Sequence, residues 1–229
     1  MAGKAKIYAV LTGDLVKSSK LSVEQSRKAI QLLRRRTSEF EKIFQGAIQG
    51  ELDSFRHDSW QLLVKQPALA IRATIFLRAS VKMESDATTR YDTRIAIGIG
   101  TVDSISKRRI SDSRGAAFTL SGKALDGLRG EQRLAFASEN GLTVDCIARG
   151  VIPLLDCLIN DWTATESRAV HGALLGRTQE ESAAKWPVDQ GEAPPSRQAV
   201  AKSLRRANWM NLEGVLEWIE GGSQSKEVA

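Results

Sequence analysis

Two aspartates that follow apolar segments are the residues of this sequence best suited to metal chemistry. The apolar run Ile7 to Leu11 leads into Thr12-Gly13-Asp14, and Asp58 lies in the stretch "RHDS" between two predicted strands. Neighbouring carboxylates repel each other unless a cation lies between them. Mg²⁺ and Mn²⁺ prefer oxygen ligands, commonly carboxylates together with substrate phosphates. The pair therefore predicts a divalent metal site, although each aspartate alone also fits an ordinary turn residue.

The order of the predicted elements indicates an α+β fold that would bring these aspartates together. Strands are predicted over residues 6–16, 47–55, 59–65, 93–103 and 133–138, and helices over about 22–44, from Pro67 onward and over 116–128. The hairpin in the middle of this β-α-β-β-α-β-α-β order is typical of a ferredoxin-like split βαβ core. In such a core the first strand lies beside the hairpin, so Asp14 and Asp58 would face each other.

The predicted strand "TRIAIGIGTVD" has two different faces. Isoleucines occupy one face, and the small residues Ala96, Gly98 and Gly100 occupy the other. A strand face without bulky side chains allows a packed helix or a ligand to approach closely. A packed helix is the commoner case and is our prediction.

A second unit is predicted after Leu142, where the composition changes. We expect the α/β domain to span 1–142, a linker helix 143–162 that bends at Pro153, a small all-α domain 163–220 and a disordered tail 221–229. Helices are predicted over 164–175, 178–186, 196–207 and 209–220.

The segment "SRQAVAKSLRRAN" resembles the recognition helix of a helix-turn-helix domain. Ala199, Val200 and Leu204 would form its buried stripe. Outward-facing side chains would contact DNA bases and phosphates: Ser196, Arg197, Gln198, Lys202, Arg205 and Arg206. The alternative is a small helical bundle used for dimer contact.

The net charge and the composition of the chain limit the kinds of partner that it can have. The 229-residue chain has a formal net charge of +6, but residues 156–229 hold 8 basic and 11 acidic residues, a net of −3. The basic first part suits an anionic partner such as a nucleotide, or is an ordinary solvated surface. Apolar runs stay well short of the roughly 20 residues that cross a membrane. Together with a short N-terminal apolar run and two cysteines outside any framework, this predicts a cytoplasmic protein without a membrane partner.

From Asp14 through Leu125 the chain resembles the class III nucleotide cyclase catalytic domain, and more closely the SatD-like bacterial proteins. The matching segments, in order, are "VLTGDLVKSS", "RHDSWQLLV", "TRIAIGIG" and "RGAAFTLSGKALDGL". The resemblance implies that Asp14 and Asp58 hold Mg²⁺ or Mn²⁺, with the backbone carbonyl of Leu15 as a third ligand. It also implies a homodimer, because class III cyclases build their sites between subunits.

The same resemblance assigns roles to further residues. Thr119 and Lys123 match the cyclase positions of an asparagine that orients the ribose and an arginine that stabilises charge at the phosphate. Lysine lacks the planar fork of arginine, so the helpers of catalysis are altered while the metal pair is kept. Contacts to a nucleoside triphosphate or another nucleotide are expected from four residues near the metal pair: Gly13, Lys17, Ser18 and His57.

Three functions remain open on the sequence. The first is a bacterial regulator in which a metal-dependent, cyclase-like nucleotide-binding domain is coupled to a DNA-binding helix-turn-helix. The second is an active nucleotide cyclase or related nucleotidyl-transfer enzyme, a phosphorus-oxygen lyase that uses two Mg²⁺ or Mn²⁺ ions. The third is a scaffold that uses its sheet for protein contact.

Overall fold

The computed structural model describes residues 6–139, 145–188 and 193–221. Its sheet has the strand order β2-β3-β1-β4-β5. The strand bounds are β1 (Ile7–Leu15), β2 (Ile48–Phe55), β3 (Ser59–Val64), β4 (Thr93–Thr101) and β5 (Leu134–Ser138). Strand β1 is antiparallel to both β3 and β4, whereas β5 is parallel to β4. The end of β1 therefore lies between the β2–β3 hairpin and the start of β4.

Two helices cover one face of the sheet. Helix α1 (Val23–Ile43) begins with the capping box that Ser22 and Gln25 form, and α2 (Ala70–Lys82) follows a short 3-10 turn that opens at Pro67. Their apolar residues share a core with the buried side of the sheet, including Leu11 and Trp60. Both helices are at the predicted positions.

A third helix covers the other face of the sheet. Helix α3 (Ala116–Gly127) packs on the small-residue side of β4. A Cβ atom built on Gly98 would lie 2.3 Å from the Ala117 carbonyl oxygen and 2.5 Å from the Ser121 nitrogen. Only glycine allows the helix to approach this closely, and the prediction of a packed helix at this face is confirmed.

The C-terminal part of the chain is helical and packs on the first two helices. A π-helical turn (Ile147–Val151) precedes the helices α4 (Ile152–Asn160), α5 (Ala164–Leu174), α6 (Gln179–Ala184), α7 (Arg197–Arg206) and α8 (Trp209–Gly221). The irregular turn ends just before Pro153, which occupies the first turn of α4, where a missing N–H is tolerated. The start of the predicted linker helix and residues 222–229 of the predicted tail lie outside the described residues.

The C-terminal helices and the sheet share one apolar core. Leu155, Val170 and Leu216 belong to the same buried cluster as Phe40 and Phe76 of α1 and α2. None of the helices in the three described ranges is long and apolar enough to span a bilayer.

A buried arginine connects these layers. The Arg78 guanidinium on α2 donates to both Asp92 oxygens, at 2.9 and 2.8 Å, and to Asp156 of α4 at 2.7 Å. The second Asp156 oxygen accepts hydrogen bonds from the backbone N–H groups of Arg133 and Leu134. This network joins α2, the start of β4, the start of β5 and α4.

Candidate functional site

The end of β1 and the β2–β3 hairpin bring Asp14 and Asp58 into the same part of the molecule. The antiparallel register places Asp14 opposite Ser59, the residue that follows Asp58. The backbone N–H of Leu15 donates to the Asp58 carbonyl at 3.0 Å. Two carboxylates that are 44 residues apart in the sequence thus flank one sheet end.

Arg94 of β4 occupies the position of a counter-cation to this pair. It lies directly opposite Asp14 in the register, and its Nε and Nη2 donate to the two Asp14 oxygens at 2.8 and 2.5 Å. The Asp14 hydrogen bond raises the pKa of Arg94 against the opposing effect of partial burial. The negative charges of Asp14, Asp126 and Asp58 raise this pKa further. Arg94 therefore neutralises a group of carboxylates.

The Asp58 carboxylate is held by two serines. The Ser18 hydroxyl donates to Oδ2 at 2.6 Å, and the Ser59 hydroxyl donates to Oδ1 at 3.2 Å. Ser18 begins a 3-10 turn directly after Lys17, whose backbone is left-handed with φ 53°. Lys17 and His57 are both exposed at this end of the sheet.

The donor set at this site fits Mg²⁺ or Mn²⁺ in its chemistry. The predicted donors are two carboxylates and the Leu15 backbone carbonyl, and such ions commonly take their remaining ligands from water and phosphate. In the described ranges there is no cluster of three or more His, Cys, Asp or Glu residues suited to a metal. Because Arg94 holds both Asp14 oxygens, metal binding there requires Arg94 to withdraw. Its side chain is 37% exposed, which gives it room to do so.

Gly13 has a packing role in this structure. A Cβ atom at this position would lie 2.5 Å from the Trp60 ring and 2.6 Å from the Arg94 carbonyl oxygen. The space that we predicted for a nucleotide is therefore filled by Trp60, because β1 turns Gly13 toward the face that α1 and α2 cover. On the other face the Thr12 hydroxyl lies 2.8 Å from the Ser121 hydroxyl and accepts a hydrogen bond from Gln61, a network that the sequence did not reveal.

Thr119 and Lys123 make no hydrogen bond or ion pair to Asp14 or Asp58 in the part of the chain that the structure describes. Helix α3 turns Ala117 and Ser121 toward the sheet, and Thr119 and Lys123 are exposed on its outer side. The Thr119 hydroxyl donates to the Gly115 carbonyl at 3.4 Å within the helix.

The predicted DNA-contacting residues share one exposed side of α7. Ser196 caps the helix by accepting from the Ala199 N–H, and Arg197 pairs with Glu180 at 2.9 Å. The remaining members of the set are exposed: Gln198, Lys202, Arg205 and Arg206. Ala199 is exposed as well, so its predicted place in the buried stripe was wrong. The places of Val200 and Leu204 in the stripe are confirmed, since Val200 is buried and Leu204 packs against the same cluster, and Ser203 is buried beside them.

Arg94 is the residue of this site that sequence reasoning missed. Its position at the start of "TRIAIGIG" carries no signal by itself. Only the pairing of Thr93 with Leu15, and hence of Arg94 with Asp14, gives it a role.

Comparison with known proteins finds likeness only among solved structures. No protein-family model and no curated protein matches the sequence. A crystal structure of the guanylyl cyclase Cya2 matches with 17% identity and a TM-score of 0.42, over 59% of this chain and 77% of that one. Two structures of bacterial light-regulated adenylyl cyclase match with 17% and 18% identity and a TM-score of 0.36, over 58% of this chain and 43% of theirs. Likeness at this level establishes neither a shared activity nor a shared site.

Proposed function

We propose that this protein is a cytoplasmic bacterial regulator in which a cyclase-like domain of the ferredoxin-like split βαβ type binds a nucleotide with Mg²⁺ or Mn²⁺. The observation that carries the proposal is the convergence of Asp14 and Asp58 around one arginine. Paired carboxylates cost free energy unless a cation accompanies them. Arg94 supplies that cation in the free protein, and it can exchange for a metal because it is partly exposed.

Each group at this sheet end has a role in the proposed complex. The two carboxylates and the Leu15 carbonyl would hold the metal, which would neutralise phosphate oxygens of the nucleotide. Arg94, once released from Asp14, offers a planar guanidinium suited to the phosphates. Lys17 and Ser18 follow the strand end and lie within the same loop. His57 is exposed next to Asp58, where it would border the nucleotide.

Binding without turnover is the function we favour. The residues at the positions of the cyclase helpers, Thr119 and Lys123, differ chemically from asparagine and arginine and lie on the outer side of α3. An active cyclase remains the second candidate, since a homodimer would bring these residues of one copy toward the aspartates of the other. Lys123 would then stabilise negative charge that develops on the phosphate.

We further propose that the C-terminal helices form a helix-turn-helix that binds DNA. Helix α7 presents Arg197 and Gln198 at its first turn, where such residues read guanine and adenine edges. Lys202, Arg205 and Arg206 suit phosphate contacts. Nucleotide occupancy would bias the geometry of a homodimer and thereby the spacing of its two recognition helices.

The deciding experiment is a titration with each of the four nucleoside triphosphates in the presence of Mn²⁺, combined with analysis for cyclic products. Metal-dependent binding without product supports the regulator, and a cyclic product supports the enzyme. Asp14→Asn and Asp58→Asn should each abolish the metal dependence. Asp103→Asn, which changes an exposed aspartate after β4, is the matched control. Absence of any nucleotide or metal affinity would refute both functions.

A further inference from the structure

A basic cavity lies at the junction between the sheet domain and the C-terminal helices. Its volume is about 270 Å³. The sheet domain contributes Arg36 and Glu84 to its walls, and the C-terminal helices contribute Arg168, His171, Arg177 and Lys185. The cavity is separate from the sheet end that holds Asp14 and Asp58.

Positive charge exceeds negative charge around this cavity. Four of its lining residues are basic, and Glu84 is acidic. One more carboxylate, that of Glu39, lies next to the cavity and pairs with Arg36 at 2.7 Å and with Arg177 at 2.8 Å. Among the described residues, the Arg168 guanidinium hydrogen-bonds to a backbone carbonyl, that of Met83 at 2.8 Å, and pairs with no carboxylate. Burial lowers the pKa of Arg168; the charge of Glu84 opposes this effect, and the charge of Arg36 adds to it to a smaller extent.

A buried histidine among these arginines lacks a hydrogen-bond partner. His171 is 3% exposed and stacks on Phe76 with the ring centres 4.7 Å apart. Its Nε2 has no hydrogen-bond partner among the described residues, and the Glu39 carboxylate is 3.8 Å away. Burial and the charges of Arg36, Arg177 and Arg168 lower the pKa of His171 to about 3. Buried polar atoms without a partner are uncommon, and a bound ion is one of the arrangements that account for them.

The Nε atom of Arg36 is a second buried polar atom of this cavity that has no hydrogen-bond partner among the described residues. The unsatisfied groups therefore come from two helices, α1 and α5, which belong to the two different parts of the chain. An anion between them would satisfy both groups and offset the excess positive charge.

We propose that this cavity binds a small phosphomonoester and that the ligand joins the C-terminal helices to the sheet domain. Arginine and lysine groups that approach from several directions suit a dianionic phosphate, which can accept many hydrogen bonds at once. The cavity is smaller than the roughly 300–1,000 Å³ of pockets for drug-sized ligands, which favours a small ligand over a nucleoside triphosphate. The Trp186 ring, which lies 5.5 Å from the Arg168 guanidinium, provides an aromatic wall for the organic part of the ligand.

The two histidines of the chain provide a direct assay, because His171 lines the cavity and His57 lies at the candidate nucleotide site. The imidazole NMR signals of the full-length protein are followed during titration with inorganic phosphate, glycerol phosphate and acetate. We expect the His171 signal to move with both phosphates while the His57 signal stays in place. Movement of the His57 signal alone would overturn the proposal, since the anion would then occupy the other site. Binding of acetate as tightly as phosphate would overturn the choice of a phosphate ligand.

Variants that remove a positive charge from the cavity test which side chains bind the phosphate. Lys185→Gln changes an exposed lysine at the end of α6 and should weaken phosphate binding about threefold or more, as expected for loss of a charge-assisted contact. Arg168→Gln should weaken it about tenfold or more, because that guanidinium is partly buried. Lys65→Gln, at an exposed lysine after β3, is the matched control and should bind as the parent protein does. Unchanged affinity in Lys185→Gln and Arg168→Gln would overturn the proposal.

Discussion

Replacing Arg94 by glutamine should strengthen the binding of Mg²⁺ and Mn²⁺ to this protein. The Arg94 guanidinium holds both Asp14 oxygens and competes with a metal for them. Glutamine is neutral and removes this competition while it retains a polar side chain at the site. The same change leaves Asp14 and Asp58 without their counter-cation in the metal-free protein, so the folded state should lose stability until metal is added.

The magnitude follows from the exposure of the pair. The side chain of Arg94 is 37% exposed and that of Asp14 is 15% exposed, which places the pair between a surface ion pair and a buried one. Exposed pairs contribute about 0–1 kcal/mol, and the two-pronged geometry puts this one at the upper end. A free energy of about 1 kcal/mol corresponds to a roughly fivefold lower Kd for Mn²⁺. The metal-free variant should lose a similar amount of its free energy of unfolding.

Calorimetric titration with Mn²⁺ measures the first effect, and chemical denaturation with and without Mn²⁺ measures the second. Arg35→Gln, at an exposed arginine of α1, is the control for loss of one positive charge. The double variant Asp14→Asn with Arg94→Gln should lose the gain in affinity. An Arg94→Gln protein that binds Mn²⁺ more weakly than its parent, or whose stability does not respond to Mn²⁺, would refute the competition between Arg94 and the metal.

Three further changes test the fold. Gly98→Ala should lower the free energy of unfolding by about 1–3 kcal/mol, because the backbone of α3 lies where the new methyl group must fit; an unchanged denaturation midpoint would contradict this packing. Arg78→Met should cost about 3–5 kcal/mol by leaving Asp92 and Asp156 without their partner, and the added change Asp156→Asn should restore part of the loss in the same denaturation assay. The pKa of His171 is lowered from 6.5 to about 3 in the folded protein, so the unfolded chain binds the proton more readily. Stability should therefore fall as the pH falls from about 6.5 toward 3, by up to about 1.4 kcal/mol per pH unit, and His171→Phe should remove this part of the pH dependence in denaturation curves compared at pH 7 and pH 5.

Local patterns predicted the elements of this fold well, because their causes are local. The capping box of Ser22 and Gln25 fixed the start of α1, and the small residues opposite the isoleucines of β4 indicated a helix on that face. The predicted strand order also indicated that Asp14 and Asp58 lie close to each other.

The features that could not be predicted depend on tertiary register and packing. Arg94 meets Asp14 only because β1 and β4 pair without a shift of one residue. The exposure of Ala199 depends on how α7 is rotated against α5 and α6. The cavity around His171 joins residues of α1 and α5 that are more than 130 positions apart, and neither helix shows it alone.

The attachment of the C-terminal helices to one side of the sheet has a consequence for the way in which two copies could read DNA. Arg72 of α2 pairs with Glu220 of α8 at 2.6 Å, and Arg177 pairs with Glu39 of α1, so these helices cover the α1–α2 side. Two copies that met across Thr119 and Lys123 on the opposite side would hold their α7 helices at the far ends of the pair. With layers about 10 Å apart, those helices would be separated by more than the ~34 Å of one DNA turn. Such a pair would not fit half-sites that are one turn apart and would require a wider spacing.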